Sequence, residues 1–243
     1  MIRVTIWNEY RHEKKSETVK ALYPNGIHAT VKEILACEDI EVTLAALDDP
    51  AQGLPDEVLD NTDVLMWWGH LAHKEVDDAL VERIYRRVHN GMGMVFMHSG
   101  HHSKPFSRVV GSTGNLTWGR DQRCIVWNLA PTHPITQGIP AHFELFEEMY
   151  GEPFYVPQPD EVLFATWYED GNLFRGGLTY TRGLGKVFYF HPGHERCRSF
   201  YDPNVRRILQ NAVRWCAPVA LSEGFDNTGC LHQTEAVFKK EEL

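Results

Sequence analysis

The chain has 243 residues, of which 43% are apolar, and a formal net charge of −9. This composition suits one large domain or two small ones with a substantial core. Acidic residues are in excess and no basic cluster occurs. Nucleic acid is therefore excluded as an expected partner, because binding it requires a concentrated lysine and arginine surface.

The cysteines and the hydropathy indicate the compartment. Five cysteines are widely spaced, form no CxxC pair and are odd in number. The amino terminus enters a predicted strand directly, and no run of about 18 apolar residues is available for a membrane span. We therefore expect reduced thiols in a cytoplasmic protein that does not bind membranes.

The first half of the chain alternates between strand and helix patterns. Strands are predicted at residues 3–7, 40–46, 63–68 and 94–97. A helical segment broken by the turn Pro24-Asn25-Gly26 follows the first strand. Apolar residues four apart predict a helix over residues 76–88, ending near Gly91. This β-α-β-α-β order predicts a mainly parallel sheet with right-handed crossovers.

The second half is less regular, and residues 103–180 favour antiparallel strands that extend the parallel core. A buried strand returns at residues 186–190, and Asp202 and Pro203 are typical of a helix start. We predict one domain over residues 1–220 and a polar tail over residues 221–243. The tail is either a loose extension or an arm onto a neighbouring subunit. The antiparallel strands are predicted at residues 123–129, 162–168 and 173–180.

Four of the predicted strands run into loops that carry histidine. In open α/β sheets, ligands bind beyond the carboxyl ends of the strands. We therefore expect these loops to share a site, and scattered surface histidines are the alternative. The residues are His12 after the first strand, His70 and His73 after the third, His98 and His101 after the fourth, and His191 and His194 after the last.

Two imidazoles and a carboxylate are a common ligand set for zinc, manganese or iron(II). We predict that His98, His191 and Glu148 bind such a divalent metal and, with His12, act in catalysis. Either Glu147 or Glu195 is an alternative to Glu148 as the carboxylate ligand. The competing interpretation is that His98 is a hydrogen-bonded structural histidine, and that His191, which precedes a proline, forms a turn.

Two short motifs resemble those of class I glutamine amidotransferases. Met97-His98-Ser99-Gly100-His101 resembles a nucleophile elbow and that family's glycine-x-cysteine-x-glycine-histidine signature. Phe190-His191-Pro192 resembles its catalytic histidine-proline, and Glu195 lies near the position of its glutamate. The nucleophile position holds His98, and an imidazole cannot form the thioester intermediate. We expect the shared fold without glutaminase activity.

As a whole, the chain is similar to the trehalose-utilisation (ThuA-like) family. The similarity rests on Tyr10-Arg11-His12, residues 133–139, residues 147–150, residues 185–189 and the closing helix from Asp202-Pro203 to Arg214-Trp215. It implies a flavodoxin-like, class I glutamine amidotransferase-like three-layer α/β sandwich. It also implies a role in disaccharide metabolism.

The leading hypothesis is a metal-assisted enzyme that acts on a disaccharide or keto sugar. Its alternative is a non-catalytic sugar- or partner-binding module on a fold that lacks the nucleophilic cysteine. We expect a small carbohydrate as ligand and a homo-oligomer as assembly. Aromatic faces stack on sugar rings, so Trp118, Trp127 and Trp167 are further candidates, with core packing as the default role of each. The predicted substrate contacts are Trp68, His70, Arg11, His101 and Tyr150.

Overall fold

A computed structural model describes residues 1–219 of the chain, so the predicted tail lies outside the described residues. It contains nine strands and seven α-helices within that range. The strands are β1 (Ile2–Asn8), β2 (Ile40–Ala46), β3 (Val64–Trp68), β4 (Gly93–Met97), β5 (Thr117–Asn128), β6 (His142–Gly151), β7 (Glu161–Tyr168), β8 (Leu173–Arg182) and β9 (Gly185–Phe190). The helices are α1 (His12–Lys15), α2 (Glu17–Leu22), α3 (Ile27–Ile34), α4 (Asp56–Asp60), α5 (Asp78–His89), α6 (Lys104–Phe106) and α7 (Pro203–Cys216).

All nine strands form one sheet in the order β2-β1-β3-β4-β9-β8-β7-β5-β6. The first five strands in this order pair in parallel, and every pairing from β9 to β6 is antiparallel. The predicted parallel core with an antiparallel extension is therefore confirmed. We call these two parts the parallel half (β2, β1, β3, β4, β9) and the antiparallel half (β8, β7, β5, β6).

The parallel strands are buried on both faces, which explains their uninterrupted apolar sequences. In β3, Met66 and Trp68 pack into a core beneath α3 and α7, whereas Leu65 and Trp67 pack into a second core beneath α5. Two cores on opposite faces of one sheet give the three-layer arrangement. Among the described residues, no helix has both the length and the apolar character that crossing a membrane requires.

Local sequence explains where the closing helix begins. The Asp202 side chain accepts hydrogen bonds from the backbone N–H groups of Asn204 and Val205, and Pro203 occupies the first turn. Both features are those predicted, because a capping carboxylate satisfies N–H groups that have no partner within the helix. The helix packs against both β4 and β9, the two strands that precede the strongest histidine motifs.

Strand β6 is absent from the sequence-based prediction, and β5 is longer than predicted. Residues of β6 alternate between buried and exposed only as far as Phe146, and the buried positions that follow hold Glu147 and Glu148. Two adjacent carboxylates prevent this strand from being predicted from its sequence. Burial of charged groups is rare, and the alternation rule assumes apolar residues at the buried positions of a strand. This missed strand supplies much of the site described below.

Candidate active site

The predicted histidine loops meet at the carboxyl edge of the parallel half. Strands β4 and β9 are neighbours, and the rings of His98 and His191, which follow them, have centroids 5.8 Å apart. His70 follows β3, and its ring centroid is 6.1 Å from that of His98 and 5.8 Å from that of His194. His73 instead lies beside His102, outside this group. The prediction that His98 and His191 share one edge of the sheet is confirmed.

His98 occupies an elbow at the end of β4. Its φ of 48° lies in the left-handed region, which costs a residue with a side chain roughly 1–2 kcal/mol. The His191 carbonyl oxygen, 3.0 Å away, accepts a hydrogen bond from Nδ1. The proton of a neutral ring is thereby assigned to Nδ1, and Nε2 presents a lone pair. Nε2 lies 3.2 Å from Oε2 of Glu148, so a proton or a cation is needed between these two acceptors.

Glu148 on β6 and His194 after β9 complete the central group. His194 Nε2 lies 3.8 Å from Oε1 of Glu148, and its Nδ1 lies 2.9 Å from Oδ1 of Asp121. Burial alone would lower the pKa of His194, but the carboxylates of Glu195 and Glu148 outweigh it and raise that pKa to about 9. Burial likewise opposes ionisation of Glu148, yet the hydrogen bond with His98 holds the pKa of this carboxyl below its usual value.

Four side chains in this group can offer donor atoms that all lie within 4.8 Å of one another. They are His70, His98, Glu148 and His194. Imidazole nitrogen and carboxylate oxygen together are the donor set of divalent transition metals. Sequence reasoning found His98 and Glu148 but gave His194 no role, although His194 stands in the same motif as His191.

His191 does not join this group, which corrects the predicted ligand set. The His191 ring is buried, and its Nε2 lies 3.1 Å from the backbone oxygen of Glu148 and 3.1 Å from the Tyr168 hydroxyl. Nε2 of His191 is thereby engaged by protein groups and is not available to a metal ion. His191 acts on the site through its backbone carbonyl, which orients His98.

A second group of donors adjoins the first. It consists of His12, the first residue of α1, together with His70 and with Glu195 from the loop after β9. His12 Nε2 is 2.6 Å from His70 Nδ1, and both rings lie 3.6 Å from a Glu195 carboxylate oxygen. Burial disfavours the charged form of His70, and its pKa falls to about 4.

Two buried carboxylates shape the loops that carry these histidines. Glu147 accepts hydrogen bonds from the backbone N–H groups of Gly193 and His194 and from the Ser199 hydroxyl, so it holds the loop after β9. Glu9 accepts from the N–H groups of Leu71 and Ala72 and holds the loop after β3. Glu147 was an alternative metal ligand in the sequence analysis, but its oxygens are engaged by these donors.

The predicted substrate contacts divide into two sets. His70, His101 and Tyr150 line a pocket of about 370 Å³ that opens over Glu148, His194 and Glu195. The structure places the other two elsewhere. Trp68 is buried and donates its indole N–H to the Gly193 carbonyl, and Arg11 forms salt bridges with Asp48 and Glu75.

The pocket also contains a residue that the sequence analysis left with core packing as its default role. Trp118, near the start of β5, is 68% exposed and stands at the pocket rim with Leu71 and Arg196. A tryptophan so exposed gains little from packing. The strand carrying it was predicted to begin only at residue 123, so nothing in the sequence placed it near the histidines.

None of the four described cysteines is located at the elbow. Cys124, Cys197 and Cys216 are buried, and burial raises the pKa of each thiol, so the thiolate is disfavoured. Ser99, next to His98, donates its hydroxyl hydrogen to the Gly69 carbonyl. The elbow therefore presents an imidazole, and its neighbouring hydroxyl is turned into the protein.

Comparisons with known proteins agree with this architecture. The sequence profile described as "Trehalose utilisation" (ThuA) matches residues 3–216. A ThuA-like protein from Parabacteroides merdae is similar at 15% identity and a TM-score of 0.67, over 91% of this chain and 92% of that one. A second, from Bacteroides uniformis, has 19% identity and a TM-score of 0.63, over 88% and 91%.

A more distant similarity connects the fold to amidotransferases. A glutamine amidotransferase from Thermotoga maritima is 12% identical with a TM-score of 0.50, over 80% of this chain and 76% of that one. At such identity the likeness establishes the fold alone, and it confirms the glutamine amidotransferase-like architecture expected from the elbow motif. No curated protein matches the chain.

Proposed function

The chain belongs to the trehalose-utilisation (ThuA) family, and on that premise we propose that it is a metal-assisted enzyme of carbohydrate metabolism. The observation that carries the proposal is the elbow histidine. His98 is fully buried, is held in a left-handed conformation, and directs Nε2 at the Glu148 carboxylate. Strain of this kind persists where the surrounding structure maintains it, commonly at functional sites.

The ligands of the proposed metal are His98, His194 and Glu148. In each histidine, Nδ1 faces an oxygen outside the group, the carbonyl of His191 for one and the carboxylate of Asp121 for the other. Nε2 therefore faces inward in both rings. Metal-binding histidines are typically oriented in this way by a partner on the opposite ring nitrogen. A first-row divalent ion, such as zinc, manganese or iron(II), suits this mixed set.

The chemistry of such an ion fits a sugar carbonyl. When bound, it would polarise a carbonyl oxygen or lower the pKa of a water molecule. The Tyr150 hydroxyl, 3.3 Å from His98 Nε2, is a donor at the same point. Isomerisation, elimination and hydrolysis are all compatible with these groups, and the proposal names the metal-assisted class rather than one of the three.

The pocket supports a small sugar as the substrate. About 370 Å³ is within the usual size of small-molecule sites. Its polar floor of histidine and carboxylate suits hydroxyl groups, and Trp118 at the rim offers an aromatic face to the apolar side of a sugar ring. The cytoplasmic location expected from the sequence remains a prediction.

The test begins with metal content measured on the purified protein before any metal is added. We expect bound transition metal, turnover of trehalose or its keto derivative, and loss of both in His98→Ala. His142→Ala is the matched control, because His142 is exposed and stands on the same strand as Glu148. It should retain both properties. A metal-free protein that binds sugar without turnover would favour the binding-module alternative.

A further inference from the structure

We infer that the site binds a second divalent metal ion, held by His12, His70 and Glu195 beside the one proposed above. This inference rests on the proposed function, since it makes the site a two-metal centre. The three donors come from the start of α1 and from the loops after β3 and β9, and their donor atoms lie within 4.8 Å of one another.

The two ligand sets need no residue in common. His98, His194 and Glu148 serve the first position, and His12, His70 and Glu195 serve the second. Each set consists of two imidazoles and one carboxylate, a combination that binds non-haem iron(II) and related ions with coordination positions left open for substrate. His70 is near both sets, but its shortest contact, 2.6 Å from Nδ1 to His12 Nε2, is within the second.

The distances within the second set are close to those between ligands of one ion. His12 Nε2 and His70 Nδ1 are 2.6 Å apart, and at least one of these two nitrogens must carry a proton for the contact to be attractive. Two ligands about 2 Å from one ion are roughly 3 Å apart at the usual angles. A slight opening of this pair would therefore accept an ion in place of the shared proton.

Glu195 supplies independent evidence, because it is a buried carboxylate with an unsatisfied oxygen. The residue is only 3% exposed, and within residues 1–219 its Oε2 makes charge contacts with imidazoles but no hydrogen bond of good geometry. That oxygen lies 3.6 Å from His70 Nδ1 and 3.2 Å from His194 Nε2. Buried charged acceptors are stabilised by direct partners, and a metal ion would give Oε2 such a partner.

The two buried carboxylates of the site also favour the binding of more than one cation. Glu148 and Glu195 are both buried, and in the described part of the chain their only salt-bridge partners are histidines. No arginine or lysine within residues 1–219 neutralises either carboxylate. Two divalent ions would do so and would leave a net positive centre that attracts oxygen ligands.

A two-metal centre narrows the substrate class. Paired ions in enzymes lie about 3.5–4 Å apart and hold two oxygens of the reacting group. Glu195 Oε2 is close to a ligand of each set, so the two positions are adjacent. The site should then prefer a sugar that presents two neighbouring oxygens, such as a carbonyl beside a hydroxyl group, over one with an isolated carbonyl.

Metal stoichiometry tests the inference without any activity assay. Metal-free full-length protein is titrated with Co²⁺ at neutral pH, followed by visible absorption and by metal analysis after gel filtration. We expect two ions per chain for the wild type and for the His142→Ala control. His12→Ala should bind one ion and His98→Ala one, while circular dichroism confirms that both variants are folded.

Each other outcome identifies what failed. One ion in the wild type, kept in His12→Ala and lost in His98→Ala, overturns the second position and leaves the proposed function standing. One ion lost in His12→Ala but kept in His98→Ala overturns the first position instead. A single ion lost in both variants means one shared site and overturns the two-metal inference. Glu195→Gln, which keeps the side-chain shape, should match His12→Ala if the second position exists.

Discussion

The two halves of the sheet supply different parts of the site. The parallel half provides imidazoles, because its strands end in the loops that carry His12, His70, His98 and His194. The antiparallel half provides side-chain oxygens, since β5 carries Asp121 and β6 carries Glu147, Glu148 and Tyr150. Glu195 is the exception, a carboxylate that follows a parallel strand.

This division shows how an amidotransferase-like core can acquire different chemistry. The elbow at the end of β4 has the same geometry, but it presents an imidazole instead of a thiol. The carboxylate opposite it comes from a strand outside the parallel core, so the second half of the chain determines what the elbow histidine faces. Substitutions in the two halves should therefore have separable effects.

Substitution of Glu147 should cause the largest loss of stability. This residue of the antiparallel half holds the loop that follows β9 of the parallel half. Glu147→Ala leaves two backbone N–H groups and the Ser199 hydroxyl without their acceptor in a buried position. We expect the free energy of unfolding to fall by about 4–5 kcal/mol. Urea unfolding followed by tryptophan fluorescence measures it.

Glu144→Ala on the same strand is the matched control. Glu144 is exposed, and its one salt bridge within residues 1–219 is with the exposed Arg123, so its loss should cost less than about 0.5 kcal/mol. Glu147→Gln keeps one acceptor oxygen and should fall between the two. Equal stability of the Glu147 and Glu144 variants would show that the two halves are not joined through this carboxylate.

Truncation of a phenylalanine should destabilise the protein more in the parallel half than in the antiparallel half, and slightly less than the loss of Glu147. Phe188 on β9 is fully buried, and Phe188→Ala should lower the free energy of unfolding by about 4 kcal/mol through lost burial and a cavity. Phe146 on β6 is 55% exposed, and Phe146→Ala should cost less than about 1 kcal/mol. Urea unfolding at several protein concentrations measures both. A large, concentration-dependent loss in Phe146→Ala would mean that a second copy of the chain covers this face, as the expected homo-oligomer allows.

The strain at the elbow predicts an unusual ranking of substitutions. At His98, with its positive φ, His98→Gly should be more stable than His98→Ala by about 1 kcal/mol, because glycine adopts this conformation freely. At His191, which does not have a positive φ, glycine should be the less stable of the two by roughly 0.5–1 kcal/mol. Thermal and urea unfolding give both differences. The same ranking at the two positions would argue against a strained elbow.

The parallel half could be predicted from the sequence because each strand there is defined by a local pattern. Val64–Trp68 and Gly93–Met97 are apolar throughout, since both faces are buried, and their observed bounds differ from the prediction by one residue. The interrupted helix after β1 and the cap at Asp202 also follow from local chemistry. Strand β6 could not be predicted in this way, because its buried positions hold charges whose partners are distant in sequence.

The site was only partly predictable for the same reason. Loop positions after parallel strands indicated which histidines share an edge, but not which ring nitrogen each histidine directs into the centre. His191 and His194 stand three residues apart, and only the backbone course after β9 decides that the first packs on Tyr168 and the second faces Glu148. Arg11 was predicted to contact substrate because of its position in a motif. Its salt bridges to Asp48 and Glu75 could not be predicted, because both partners are distant in sequence.

The last prediction is that no glutaminase activity will be measured. The elbow holds His98 instead of cysteine, and the raised pKa values of Cys124, Cys197 and Cys216 keep these buried thiols protonated at neutral pH. Ammonia release from glutamine should therefore equal that of a protein-free blank. His98→Cys gives the sharper comparison, because it places a thiol at the strained position, and its ammonia release from glutamine is measured beside that of the wild type. Ammonia release by the wild type that persists after every cysteine is changed to serine would show that the elbow supports a chemistry other than the one argued from its imidazole.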